Sequence, residues 1–459
     1  MRGRPQHTSE EICYSTDMTS EPVQYSISGD SAATIVRSIE DGVSGGDLAP
    51  GQAVPSVRRL ARDLGVSPTT VATAYRDLRQ RGILVAHDRS RTVVGHRPPL
   101  RSRLAPDLPP GVRDLTSGNP DPALLPDLGP ALATVGPVHR LYGEQPGVDA
   151  LLARASTAFA ADGIDPDALA VVSGGLDGIE RVLEVHLRVG DRIGLEDPGY
   201  AGSLDLARAI GLDPVGIEVD DQGPLPDALA AALDRGLAAL LLVPRAQNPF
   251  GAALSRERAA ELRPLLAAHP DLLVIEDDHA SAVAGAPVIT LTTGRSHWAV
   301  VRSAAKALGP DLRVAVLAGD EDTVGRVLGR QRLGTGWVSH LLQHLTAEVW
   351  RRAAGDGSLD DAARAYTERR NALLDALAAR GLAAHGASGL NVWIPVPEEV
   401  PVVQGLLARG WAVQAGEPYR IDSPPAVRVT ISTLTADEAE RLADDLVEVL
   451  DQRLGTRRG

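Results

Sequence analysis

The first 28 residues carry no hydrophobic periodicity and read as a mobile N-terminal arm. The pattern then becomes helical. SAATIVRSIEDGV places Ile35, Val36, Ile39 and Val43 on one face. Gly and Pro mark GGDLAPGQAVPS as a loop, and Ser56 stands as N-cap of VRRLARDLG, with Val57, Leu60, Ala61 and Leu64 turned inward. Ser67 caps again with Pro68 at the first helical position, opening TTVATAYRDLRQRG, whose buried face is Val71, Ala74, Tyr75 and Leu78. After Gly82, ILVA and RTVVG alternate around a polar tip, as the strands of a small hairpin do. Residues 29–97 therefore form one module of three helices and a hairpin.

The following RPPLRSRLAPDLPPGVR is rich in proline, and residues 98–113 read as a semi-extended linker. From residue 114 the pattern changes to apolar runs separated by amphipathic stretches: ALAVV, RIGLE, DPVGIEV, AALLLVP, LLVIED, WAVVRS and VAVLAG. Such alternation predicts an α/β domain with a mostly parallel sheet covered by helices. Beyond about residue 345, a long helical stretch followed by short strands predicts a smaller C-terminal subdomain extending to residue 459.

Composition sharpens this picture. With 459 residues, 44% of them hydrophobic, the chain is long enough for several packed domains. No apolar run reaches a membrane-spanning length, and the N-terminus lacks the apolar core of a signal peptide, so a cytoplasmic protein without a membrane partner is expected. The one cysteine, Cys13, excludes intramolecular disulfides and cysteine-based metal clusters, and no metal site is expected. A net charge of -14 argues against general nucleic-acid affinity. The local balance differs: residues 31–97 hold ten arginines against six acids, a basic module on an acidic body.

The cations are also unequal in kind. Lys306, in SAAKALGPDLR, is the only lysine, against 45 arginines. A guanidinium stays protonated and cannot serve as an amine nucleophile, so imine formation is a task that arginine cannot take over. A second feature is VVSGGLDGIE, a strand, a small-residue turn and a helix start. It exposes the amides of Gly174, Gly175 and Leu176 to an anion on the helix dipole.

The string VPSVRRLARDLGVSPTTVATAYRDLRQRGIL resembles the winged helix-turn-helix DNA-binding domain of the GntR family. In that fold the N-terminal end of the recognition helix enters the major groove. The resemblance implies DNA contacts from Arg58, Ser67, Thr69 and Thr70, and from Arg91 in the hairpin. Residues 114–459 resemble a fold-type I aminotransferase domain dependent on pyridoxal 5'-phosphate. This implies Lys306 as the Schiff-base lysine, Ser303 and Arg313 with the 174–176 amides as phosphate ligands, and Tyr200 of EDPGY stacked on the pyridine ring. It also implies Asn248 of QNPFG on the phenolic oxygen and Asp277 of LLVIEDDHA on the pyridinium nitrogen. Arg428 of AVRVTIS aligns with the arginine that holds a substrate carboxylate, and Tyr142 of LYGEQPG with a tyrosine that reaches across a dimer interface. His279 stands where the family has tyrosine. An imidazole can still donate to the phenolate oxygen, but it titrates nearer neutrality and has shorter reach.

Together the two parts resemble the MocR/GabR class of bacterial transcriptional regulators. Such a chain is expected to bind a double-stranded operator as a homodimer and to sense an amine, an amino acid or pyridoxal phosphate through an aldimine at Lys306. A working aminotransferase carrying a DNA-binding module, and a cofactor-free dimerisation scaffold, are the two alternatives.

Overall fold

The computed structural model describes residues 25–44, 47–49, 51–80, 83–87, 91–95, 108–136 and 139–456, and the chain separates into two units, residues 1–97 and 98–459. The first unit holds α1 (Ala32–Ser44), α2 (Val57–Leu64) and α3 (Pro68–Gln80), then β1 (Leu84–His87) and β2 (Arg91–Val94). The two strands pair antiparallel, with Leu84 opposite Val94 and His87 opposite Arg91. Capping sets the helix starts. Ser56 Oγ accepts the Arg59 N–H at 3.3 Å, and Ser67 Oγ accepts the Thr70 N–H at 3.1 Å. Gly65 closes α2 in the left-handed region at φ +69°, which lets the chain turn at once into α3. Ile35, Ile39, Leu60, Val71, Tyr75, Leu78 and Leu84 form the core, and the buried Tyr75 satisfies its hydroxyl by donating to Pro55 O at 2.7 Å.

Residues 25–28, read above as the end of the arm, instead lie on this core. Ile27 is buried, Tyr25 Oη donates to Ser38 O at 2.6 Å, and the Ser28 N–H donates to Ser38 Oγ at 3.0 Å. One apolar residue in a polar stretch makes no period, so the sequence pattern could not register it. Residues 1–24, with Cys13, and residues 98–107 of the linker lie outside the described residues.

The second unit begins with β3 (Arg113–Asp114) and α4 (Gly129–Leu132), followed by α5 (Asp149–Ala161), β4 (Leu169–Val172), α6 (Gly175–His186), β5 (Arg192–Asp197), α7 (Ala201–Ala209), β6 (Asp213–Asp220) and β7 (Gly223–Pro224). It continues with α8 (Pro226–Asp234), β8 (Ala239–Leu242), α9 (Arg256–Ala267), β9 (Leu273–Asp278), β10 (Trp298–Ser303), β11 (Ala315–Gly319) and α10 (Glu321–Arg332). These strands form a sheet in the order β4-β11-β10-β9-β8-β5-β6-β7. From β10 across to β6 all neighbours are parallel, whereas β11 runs antiparallel to both its neighbours and β7 is an antiparallel edge. Helices cover both faces, which is why the central strands read as unbroken apolar runs rather than alternating ones. The parallel arrangement brings the C-terminal ends of β5, β9 and β10 to one edge, and those ends are Glu196–Asp197, Glu276–Asp277–Asp278 and Ser303.

The smaller subdomain follows α11 (His340–Gly355). It contains α12 (Ser358–Ala379), β12 (Asn391–Pro395), α13 (Glu399–Ala408), β13 (Trp411–Ala412), β14 (Gln414–Ala415), β15 (Ala426–Thr430) and α14 (Ala436–Thr456). Its antiparallel sheet has the order β12-β15-β14. It also recruits chain from far upstream: β3 pairs parallel with β13, the Leu115 N–H donates to Ala412 O at 2.9 Å, and the Thr430 N–H donates to Leu115 O at 2.9 Å. Arg113, the last residue assigned to the linker, is therefore strand, in a pairing too short to leave a periodic signature. Among the described residues, no helix is long and apolar enough to cross a membrane.

Candidate functional site

Gly174 precedes α6 at φ +105°, and no side chain caps this helix. The Asp177 carboxylate turns back to the Ser173 N–H at 2.8 Å, so the first-turn amides keep the open, anion-receptive character that the dipole favours. Space is tight. A Cβ on Gly174 would stand 2.7 Å from Arg313 Nη2, and one on Gly175 would stand 3.6 Å from Asp277 Oδ1 and 3.9 Å from Ser303 Cβ. Arg313, itself left-handed at φ +50°, donates to Ser173 O at 2.9 Å, and Ser303 Oγ accepts the Ala305 N–H at 3.2 Å. Glycines here let the helix start, the arginine and the ends of β9 and β10 converge on one cradle.

Asp277 sits at the floor of that cradle, 5% exposed, and its Oδ1 has no hydrogen-bond partner. Burial, reinforced by the Asp278 carboxylate, pushes its pKa up to about 7. An unpartnered buried carboxyl of this kind calls for a donor from outside the chain.

Lys306 is half-buried on the loop between β10 and β11, and its Nζ donates to Gly118 O at 2.7 Å. Burial, then the Arg428 guanidinium, pushes its pKa down to about 8. Arg428, 4% exposed on β15, donates to Asn248 Oδ1 at 3.1 Å and to Thr116 O, and lies over the Tyr419 ring at 4.9 Å. No carboxylate among the described residues forms an ion pair with it, and its Nε is buried without a partner. Tyr200 stands close enough to Arg428 to contribute to its electrostatics. The neutral amine is the nucleophile, so alkylation of Lys306 by formaldehyde with cyanoborohydride should accelerate up to about pH 8 and then level. Peptide mass spectrometry separates Lys306 from the α-amine, and a rate still climbing beyond roughly pH 10, the ordinary lysine range, refutes the shift.

His279 behaves differently from the expectation. Its Nε2 lies 2.8 Å from Ala246 O, and a carbonyl only accepts, so Nε2 carries the hydrogen. Burial, then the Lys306 charge, pushes the ring down to about 4, and it is neutral with its one N–H already committed. The imidazole therefore has no second hydrogen to give a phenolate.

Tyr142 stands apart, 93% exposed and edge-on to Trp337 at 5.3 Å. In the first unit, Arg58, Ser67 and Thr69 are exposed and Thr70 is half-buried, with the Ser67 and Thr70 hydroxyls 2.8 Å apart. The side chain of Arg91 lies outside the described residues; its backbone belongs to β2.

Several groups at the site went unread in the sequence. Gly118 and Thr116 touch Lys306 and Arg428 through backbone carbonyls, which have no side-chain signature. Asp278, fully buried, is paired with Arg245 at 2.8 Å and with Arg302 at 2.6 Å. Although burial opposes its charge, Arg302 and Arg245 hold its carboxyl well below the usual carboxylate range. Glu196, pushed up to about 8 by burial, accepts from Val243 N–H at 3.2 Å and Gln247 Nε2 at 3.3 Å. The last acid of LLVIEDD, Asp278, was the available clue to the arginine cluster.

The profile of the family described as aminotransferase class I and II matches residues 110–446, and that of the bacterial regulatory proteins of the gntR family matches residues 31–94. A relative described as the vitamin B6 salvage pathway transcriptional repressor PtsJ of Salmonella typhimurium is 36% identical, over 93% of this chain and 100% of its own length. The HTH-type pyridoxine biosynthesis transcriptional regulator PdxR of Corynebacterium glutamicum is 27% identical, over 73% of this chain and 76% of its own. Among solved structures, the α-aminoadipate aminotransferase LysN from Thermus thermophilus superposes with a TM-score of 0.67 at 23% identity, covering 76% of this chain and 94% of that one.

Proposed function

Because the chain belongs to the MocR-type subfamily of GntR regulators, a GntR helix-turn-helix domain fused to an aminotransferase class I and II domain, we propose that it is a transcriptional regulator whose operator binding responds to pyridoxal phosphate, or an amine or amino acid, at Lys306. The observation that carries this reading is the convergence of the sole lysine with a buried arginine that has no carboxylate partner among the described residues.

The residues present fit pyridoxal phosphate. The unpartnered Asp277 Oδ1 suits a ring nitrogen, and the cradle at Gly174, Gly175 and Arg313, with Ser303, suits a phosphate. When bound, the cofactor supplies an aldehyde that exchanges between amines and a ring that withdraws electrons. Asp277 would hold a proton at the ring nitrogen, and Lys306 Nζ would attach covalently. Asn248 and Tyr200 would orient the ring, and Arg428 would fork onto an effector carboxylate. The names of the relatives PtsJ and PdxR, which refer to vitamin B6 salvage and pyridoxine biosynthesis, support pyridoxal phosphate as both bound group and signal. The exposed Leu141, Tyr142 and Leu333 support a homodimer, and paired half-sites would suit one.

Arg58, Ser67, Thr69, Thr70 and Arg91 are proposed to contact DNA. Fluorescence anisotropy of the full-length protein on DNA from its own promoter tests this. Affinity should fall by roughly tenfold or more between 50 and 200 mM salt, and should shift by about fivefold or more on saturation with the ligand. A ligand-independent affinity, together with many turnovers of amino donor against 2-oxo acid, would favour the enzyme reading.

A further inference from the structure

Lys306 and Arg428 share a neighbour that is neither substrate nor cofactor: the segment 114–119, DLTSGN. Lys306 Nζ donates to Gly118 O and Arg428 donates to Thr116 O, so both cations grip the same short stretch by its carbonyls. Apart from bonds within the stretch itself, such as Thr116 N–H to Asp114 Oδ1 at 2.8 Å, its further ties run to the smaller subdomain. The Gly118 N–H donates to Thr430 Oγ1 at 3.2 Å, Ser432 Oγ donates to Asn119 O, and Leu115 is tied to Ala412 and Thr430. Just upstream, Arg113 pairs with Glu438 at 3.0 Å and donates to Thr433 O. The Lys306–Gly118 bond is therefore a latch between the main sheet's lysine loop and the smaller subdomain. The strap at that latch continues N-terminally into the linker that leads to the DNA-binding unit.

We propose that residues 114–119 form a strap that reads the chemical state of Lys306 and Arg428 and passes it to the linker. The inference rests on Lys306 being the cofactor lysine, as proposed above. Condensation of Nζ with an aldehyde expels the carbonyl oxygen as water together with two hydrogens from nitrogen. Any hydrogen left on nitrogen lies in the plane of the new double bond and can no longer swing to Gly118 O. A carboxylate forked on Arg428 competes with Thr116 O and Asn248 Oδ1 for the same N–H groups. Both events weaken the grip on the strap, whereas other ties across the same junction contain neither cation. Asp197 accepts from the N–H groups of Ile421, Asp422 and Ser423, and the Gly199 N–H donates to Tyr419 O at 2.8 Å. The strap is thus the ligand-sensitive part of a junction whose remainder stays tied, the arrangement a two-state relay requires.

Hydrogen–deuterium exchange on the full-length protein, with and without pyridoxal phosphate, tests the relay. Peptides covering 114–119 should exchange roughly fivefold faster once the cofactor is attached, while those covering 421–423 stay unchanged. Thr430→Val and Ser432→Ala each remove a different bond of the strap without touching Lys306 or Arg428. Each should shift operator affinity, without ligand, by roughly fivefold in the direction that saturating cofactor shifts the wild type. Exchange of 114–119 unaltered by attachment, or variants with a loosened strap and wild-type operator affinity, overturns the proposal. Visible absorption and the mass of the borohydride-reduced protein report attachment separately. A protein that takes up no cofactor refutes the cofactor reading, and the size of the two variants' shift in operator affinity, whatever its direction, then judges whether the strap is coupled to DNA binding.

Discussion

Lys306→Ala is expected to abolish covalent uptake of pyridoxal phosphate and to leave operator binding insensitive to ligand. The effect is all-or-none because no second lysine exists to substitute. Arg428 and the other guanidiniums nearby cannot act as amine nucleophiles. Lys306→Arg should fail equally while keeping the positive charge, which separates nucleophilicity from electrostatics. Folding should survive Lys306→Ala, since the ammonium is half-buried with a single carbonyl partner and burial, which pushes its pKa down to about 8, disfavours its charge. The measurements are the intact mass after borohydride reduction and anisotropy with and without ligand. An adduct of wild-type yield in either variant sinks the assignment.

The second large effect is on stability. Asp278→Asn should destabilise the second unit by about 3–5 kcal/mol, because it strands two buried cations, Arg245 and Arg302, each left with weaker partners. Arg302 would retain Asp162 at 2.6 Å, and Arg245 would retain, among the described residues, only the Ala286 carbonyl at 3.1 Å. For a unit of this size the melting temperature should fall by roughly 5 °C. The carboxyl is held below its unfolded pKa, so its contribution is fully present above roughly pH 4 and is lost as pH falls through the folded value. The gap between wild type and variant, wide at pH 7, should therefore narrow below about pH 4. A gap that stays constant from pH 7 to acid would show that the ion cluster is not its cause. Cofactor uptake should weaken as well, since Asp277 and Ser303 sit at the ends of the two strands that Asp278 and Arg302 staple together.

Much of the framework was legible in the chain. The seven apolar runs chosen by pattern are seven of the eight strands of the main sheet, displaced by a residue or so at their ends. Period and capping residues place α2 and α3 because those signals are local: Ser56, Gly65 and Ser67 act on amides within a few positions of themselves. The strand pair β3–β13 was invisible for the opposite reason. Two residues carry no period, and the partner lies nearly 300 positions away.

At the site, the sequence alone determined which chemistries the chain can offer: one amine, an acid at the end of an apolar strand, and small residues before a helix. These follow from residue type and from spacing along the chain. Only the tertiary structure decided how those groups are used. It spent the His279 N–H on Ala246, left Asp277 Oδ1 unpartnered while pairing Asp278 twice, and set Lys306 and Arg428 on one upstream strap. Protonation and hydrogen-bond commitment depend on burial and on partners that chain folding brings from distant positions, and a linear pattern contains neither.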